Sequence, residues 1–324
     1  IRGGKFVSGV NNSGSGTINI GTKGDITDSG ELNVSTDNPN ITNTTYGVIN
    51  TNGGIVNFYD GIISGTTDAI NGTINEVEDG YEIISDTTDD GKKSKYLSRL
   101  PVAEVESTGD TYYTLQEAID AATNSKEVIK LLRRFTTLNT LETTKISEDK
   151  DIILDLNGYT LEQNNENFLL NNGTLKITDS SEDNLGKIVM YTNKSIENNG
   201  VMVIENINIS VNKALSNLIN NNDSLKVNNV KINSSNNISN FINNSGVLEM
   251  NVGEYSISNG TFIYNLSSGS ITMDSITTTG NNYLIIVNNS GTSNNVKILN
   301  SNFSGRVINS ESGTIVIDNL VSTS

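Results

Sequence analysis

Between residues 171 and 317 apolar residues recur as alternating pairs: Leu175 and Ile177, Met202 and Ile204, Leu225 and Val227, Leu248 and Met250, Ile271 and Met273, Ile315 and Ile317. A period of two predicts strands rather than helices. Each pair follows a short polar stretch that ends in a turn residue, which is Gly173, Gly200, Asp223, Gly246, Gly269, Gly291 or Gly313 in turn. The last five intervals between these residues are 23, 23, 23, 22 and 22. A second alternating pair (Val230 and Ile232) and an apolar pair before the next turn (Leu218-Ile219, Phe241-Ile242, Ile286-Val287, Val307-Ile308) complete the unit. Two or three short strands in each repeat of this length predict an all-β fold, a right-handed parallel β-helix whose coils stack about 4.8 Å apart. A leucine-rich repeat would need a fixed L-x-x-L-x-L frame, which the chain lacks. After Gly291 the pair arrives late, at Val296 and Ile298, so Thr292 to Asn295 are expected to lengthen one turn.

Asparagine marks the turns. Asn171, Asn198, Asn221, Asn244 and Asn289 each stand two residues before the turn residue. Their amides can bond from coil to coil, and Asn also tolerates left-handed backbone, so a structural ladder is the primary reading and a row of sugar-contacting amides the second.

The pattern divides the chain. Residues 1–97 read as the last coils and cap of one solenoid, 98–110 as a joint containing Pro101, and 111–324 as the start of another. In the first module, coil phrases follow Gly16, Gly30 and Gly54, and Ile74 to Val77, Tyr81 to Ile84 and Lys95 to Leu97 form short, charged capping strands suited to protecting an open sheet edge. In the second, Thr114 and Glu117 make a capping box, while Leu115, Ala118, Ile119 and Ala122 share one face of a short helix placed over the first coil. Coil phrases run so near both ends that the chain is expected to be part of something longer.

Composition narrows the chemistry. The chain has no Cys, His or Trp, which removes disulfides, thiol chemistry and the commonest general base and metal ligand. Its formal charge of -16 disfavours nucleic acid and anionic membrane as partners, although residues 184–324 carry eight acids against seven bases and are nearly neutral. No apolar run is long enough to span a bilayer.

Thr114-Leu-Gln-Glu-Ala-Ile-Asp-Ala-Ala122, Val128-Ile-Lys-Leu-Leu132 and Asp155-Leu-Asn-Gly-Tyr-Thr-Leu161 together resemble the opening of pectin-lyase-like right-handed β-helix modules of Gram-positive bacterial surface proteins. Val56 to Gly65, Ala69 to Ile74 and Asp79 to Ile84 resemble the closing coils and cap of the same module type. The resemblance implies a tandem, secreted, wall-associated stalk or adhesin, and it carries no catalytic residues.

Catalysis on such a fold needs carboxylates clustered in neighbouring coils. The acids of the regular region, Glu197, Glu205, Asp223, Glu249, Glu254, Asp274, Glu311 and Asp318, fall in different phases, and Glu249 is expected to point outward alone. Asp151 and Asp155 suit a structural role near a turn. Asp89-Asp90-Gly91 lacks the spaced carboxylates of a calcium loop, Arg133-Arg134 reads as a solvated strand end, and the Asn-x-Ser/Thr triplets are what so Asn-rich a chain contains by chance. The expectation is a non-enzymatic structural or adhesive segment forming an elongated rod on a bacterial surface, without a cofactor. Its partner would be a surface glycan or protein. The alternatives are a carbohydrate-binding or polysaccharide-degrading β-helix and a self-assembling fibre subunit.

Overall fold

The computed structural model describes all residues except 25–37, 137–142, 166–168, 184, 235, 258–259, 267, 281–284, 290–294, 304, 310–312, 320 and 323–324. It divides into two compact units, Ile1–Leu100 and Pro101–Ser324. Both are β-solenoids of stacked parallel coils.

In the first unit three stacks of parallel strands surround a core of Ile20, Ile41, Val48, Val56, Phe58 and Ile63. Thr17–Ile20 pairs directly with Ile55–Phe58, so that column advances from Ile18 to Val56 in one step. The phrase after Gly30 (Leu32 and Val34) lies outside the described residues. The stack is closed as its charged strands suggest: Lys93–Arg99 pairs antiparallel with Ile62–Gly65, and Tyr81–Thr87 pairs antiparallel with its far edge. An antiparallel hairpin ends the parallel series because it presents a charged outer edge in place of another coil.

The second unit begins earlier than its sequence suggests. Ala103–Val105, placed in the joint above, pairs antiparallel with both Asp110–Tyr112 and Glu127–Leu131, and Ala103 and Val105 are buried. Two inward side chains in three residues suffice to dock this strand on the first coil. The helix Leu115–Ala121 follows, with both halves of the capping box made: Thr114 Oγ1 accepts from the Glu117 N–H, and Glu117 accepts from the Thr114 N–H. Its buried face, Leu115, Ala118 and Ile119, covers the end of the core.

Each coil then has three sides. The first carries the alternating pairs, with Ile177, Ile204, Val227, Met250, Met273 and Ile298 stacked one above another. The second continues from it, and in Ser224–Ser234, Val247–Ile257 and Ser270–Gly280 a single strand spans both sides. The third is a separate eight-stranded parallel sheet from Thr144–Ile146 to Arg306–Asn309. All three send apolar side chains inward, and burying each Leu, Ile or Val stabilises by about 1.5 to 3 kcal/mol. The late pair Val296 and Ile298 does align with Ile271 and Met273, although Asn295 already belongs to the strand.

Gly253 makes room inside one coil. A Cβ there would lie 2.6 Å from the ring and hydroxyl of Tyr255, whose ring packs 4.7 Å from that of Phe262. Burial pushes the Tyr255 phenol well above its ordinary pKa, and its hydroxyl has no partner among the described residues.

Candidate functional surface

The turn asparagines form a buried ladder at the corner between the third and first sides. Asn171 donates to Asn198 (2.8 Å), Asn198 to Asn221 (2.8 Å), Asn221 to Asn244 (2.7 Å) and Asn244 to Asn265 (2.7 Å), and all five side chains are fully buried. Each Nδ2 also reaches a backbone carbonyl, as Asn171 does to Val201 and Asn198 to Ser224. Buried amides so satisfied are not available to a sugar. The side chain of Asn289 and the turn at Gly291 lie outside the described residues.

Asn265 was not among the expected ladder members because it stands four residues before Gly269 rather than two. Asn12 and Asn50 use this longer spacing, bonding to Gly16 and Gly54 and to each other at 3.1 Å in the first unit, and Asn309 bonds to Gly313. Two turn lengths therefore present the same amide.

The turn glycines serve close approach rather than left-handed backbone. A Cβ on Gly200 would sit 2.2 Å from the Gly173 carbonyl oxygen, and one on Gly246 1.9 Å from that of Asp223. Gly173 is crowded in the same way by the Ser147 carbonyl, at 2.2 Å, and Gly269 by the ladder amide of Asn265, also at 2.2 Å. Left-handed backbone occurs instead at the corner between the first and second sides, at Asn206, Asn229, Val252, Ser275, Asn300 and Asn319.

The acids are largely absorbed into the scaffold. Asp155 is buried and accepts from the Asn157 and Ser180 N–H groups, both at 2.9 Å. Asp179, one coil on, accepts from Gly158 and Gly186 at 2.7 Å; burial pushes its carboxyl up, but these bonds and that of Ser181 hold it below its ordinary value. The pair locks successive turns together. Glu249 is not alone: Lys226 in the coil before donates to it at 2.8 Å, and with Asn251 lowers its pKa. Lys231 and Glu254 (3.0 Å) pair in the same way, because parallel register sets like positions above one another, whereas Lys176 reaches diagonally to Glu205 (2.6 Å), two residues beyond its register partner Val203. Asp90 is held by Lys92 and Thr88, Arg134 pairs with the buried Glu162, and Asp151 accepts from Ser125. Burial raises the Glu197 pKa, with one opposing bond from Asn220. Among the described residues no group of three or more Asp or Glu could hold a metal ion, and no helix is long and apolar enough to cross a membrane.

No family model, curated protein or solved structure matches the chain. Its surface must therefore speak through its own chemistry.

The outer face of the second side is concave. A groove of about 510 Å³ runs across four successive coils, lined by Asn208 and Ser210, Lys231 and Asn233, Glu254 and Ser256, and Thr277 and Thr279. Parallel register sorts these into two rows, Asn208-Lys231-Glu254-Thr277 and Ser210-Asn233-Ser256-Thr279. Beside it lies a second hollow of about 330 Å³ that shares Asn208 and Lys231 and adds Asp183, Asn206 and Asn229.

Proposed function

We propose that the chain is a non-enzymatic structural and adhesive segment of a large bacterial cell-surface protein, built like the pectin-lyase-like modules its opening and closing phrases resemble. The observation that carries this reading is the fate of the reactive groups. Asp155 and Asp179 tie turns together, Glu249, Glu254 and Glu205 pair with lysines of other coils, and the asparagine ladder is buried. Hydrolysis needs two carboxylates facing one substrate bond, and elimination needs a base beside a neutralised acid. The ion pairs and turn locks leave these carboxylates engaged with the scaffold, where they stabilise stacking.

Solenoid coils add length at a constant cross-section, so such a segment supplies reach as part of an elongated rod and a long flank for contact. An extracellular, wall-associated setting follows the resemblance of its opening and closing phrases to surface-protein modules. Incubation with neutral and acidic polysaccharides tests the non-enzymatic reading. No new reducing ends or unsaturated products are expected, and release of either overturns it.

A further inference from the structure

We propose that the groove on the second side binds an extended chain of neutral, hydroxyl-rich sugars. The inference rests on the adhesive reading and names the ligand class of its contact surface.

The groove's register supplies the first argument. Coils recur about 4.8 Å apart, so four of them offer two parallel rows of polar side chains over about 14 Å. That spacing is close to the advance per residue of an extended pyranose chain, which lets equivalent hydroxyls meet equivalent side chains coil after coil. Asn302 continues the first row, paired in register with Thr277, and its buried Oδ1 has no partner among the described residues.

The lining decides the chemistry. Asn, Ser and Thr both donate and accept, which matches vicinal hydroxyls. Lys231 and Glu254 lie 3.0 Å apart in the middle of the groove and neutralise one another, so neither a polyanion nor a polycation finds a counter-charge. Ile209, Ile232 and Tyr255 lie buried beneath the groove, so no Ile or Tyr side chain is exposed in it and its apolar surface is shared among the polar side chains that line it.

A peptide strand is excluded for a different reason. Lys231–Ser234 and Glu254–Ile257 are interior strands whose backbone groups already pair with the coils on either side, so no edge is open for strand addition. What remains is a ligand that hydrogen-bonds through side chains alone along its whole length.

Affinity electrophoresis of the full chain through gels containing hydroxyethylcellulose, glucomannan or a mixed-linkage β-glucan, whose 1,4-linked chains are extended, tests this, with polygalacturonate as the acidic comparison. At least one neutral polysaccharide should retard the chain, with or without a calcium chelator. Ser256→Trp, which fills the groove from an exposed position, should weaken retention about tenfold, and Asn233→Trp should do the same if Ser256→Trp fails to melt like the parent. Ser239→Trp on the exposed face of the third side should leave retention unchanged. Retention by none of the neutral polysaccharides, retention by polygalacturonate alone, or loss with Ser239→Trp but not with the groove variants overturns the proposal. Failure here without release of reducing ends or unsaturated products sinks the groove but leaves the structural reading intact. Release of reducing ends sinks the non-enzymatic reading and leaves the groove.

Discussion

At the corner between the first and second sides, Asn206, Asn229, Ser275, Asn300 and Asn319 adopt left-handed backbone with φ between 45 and 58°, and Val252 joins the same column at φ 47°. Asn suits this conformation because its short amide can bond locally, and here Asn229 also donates across coils to Asn206 at 2.9 Å. A β-branched side chain gains nothing there and meets the following carbonyl. Val252→Asn should therefore raise stability by about 1 kcal/mol, read as a higher urea midpoint with an unchanged slope. A lower midpoint would show that Val252 contributes packing that its exposure hides. The buried ladder makes the opposite prediction. Asn221 accepts from Asn198 and donates to Asn244 and the Val247 carbonyl, so Asn221→Ala strands a donor and an acceptor in the core. A loss of about 2 to 4 kcal/mol is expected, against about half a kcal/mol or less for the exposed neighbour Asn222→Ala.

Among the elements, the cap of the first unit carries charge at two places, the strand Glu76–Val77 just before the closing hairpin and the turn of the hairpin itself. Hydrogen bonds from Lys23 and Tyr59 hold the Glu76 carboxyl below its ordinary 4.5, and Lys92 and Thr88 hold that of Asp90 at about 2 against 3.8. Both folded-state values are depressed, so their contribution is complete above the unfolded values and is lost as pH falls through the folded ones. Amide exchange in Tyr81–Thr87 and Lys93–Arg99, corrected for intrinsic rates, should speed up as pH drops from about 5 to about 2. The effect will be modest because these groups are exposed. Equal protection at both ends of that range would show that backbone pairing alone holds the cap. The strands of the first side, the capped helix and the four ladder members from Asn171 to Asn244 were all legible in the sequence, since each follows from a short-range pattern. Asn265 was not, because its turn is two residues longer. Ala103–Val105 was hidden because a three-residue strand carries almost no period. Neither the Glu249 partner nor the left-handed column could be read, since both depend on what stands one coil away and at which corner. The groove was equally invisible: its two rows become rows only when register is fixed.

Across the molecule, two solenoid units follow one another at Leu100 and Pro101, each with its own core. In the second, nine parallel rungs of the first side, from Glu127–Leu131 to Thr314–Asp318, span about 40 Å along the stacking direction at about 4.8 Å each. Stability in such a stack is close to a sum of neighbouring contacts, so no coil is essential to any distant one. That is the physical content of the proposed role in reach and surface. Amide exchange of Asn221→Ala tests that independence most directly. Faster exchange is expected in the rungs beside the lost amide, from Val201–Glu205 to Val247–Ile257, with parent-like protection in the distant Glu127–Leu131; equal acceleration in every rung would contradict it.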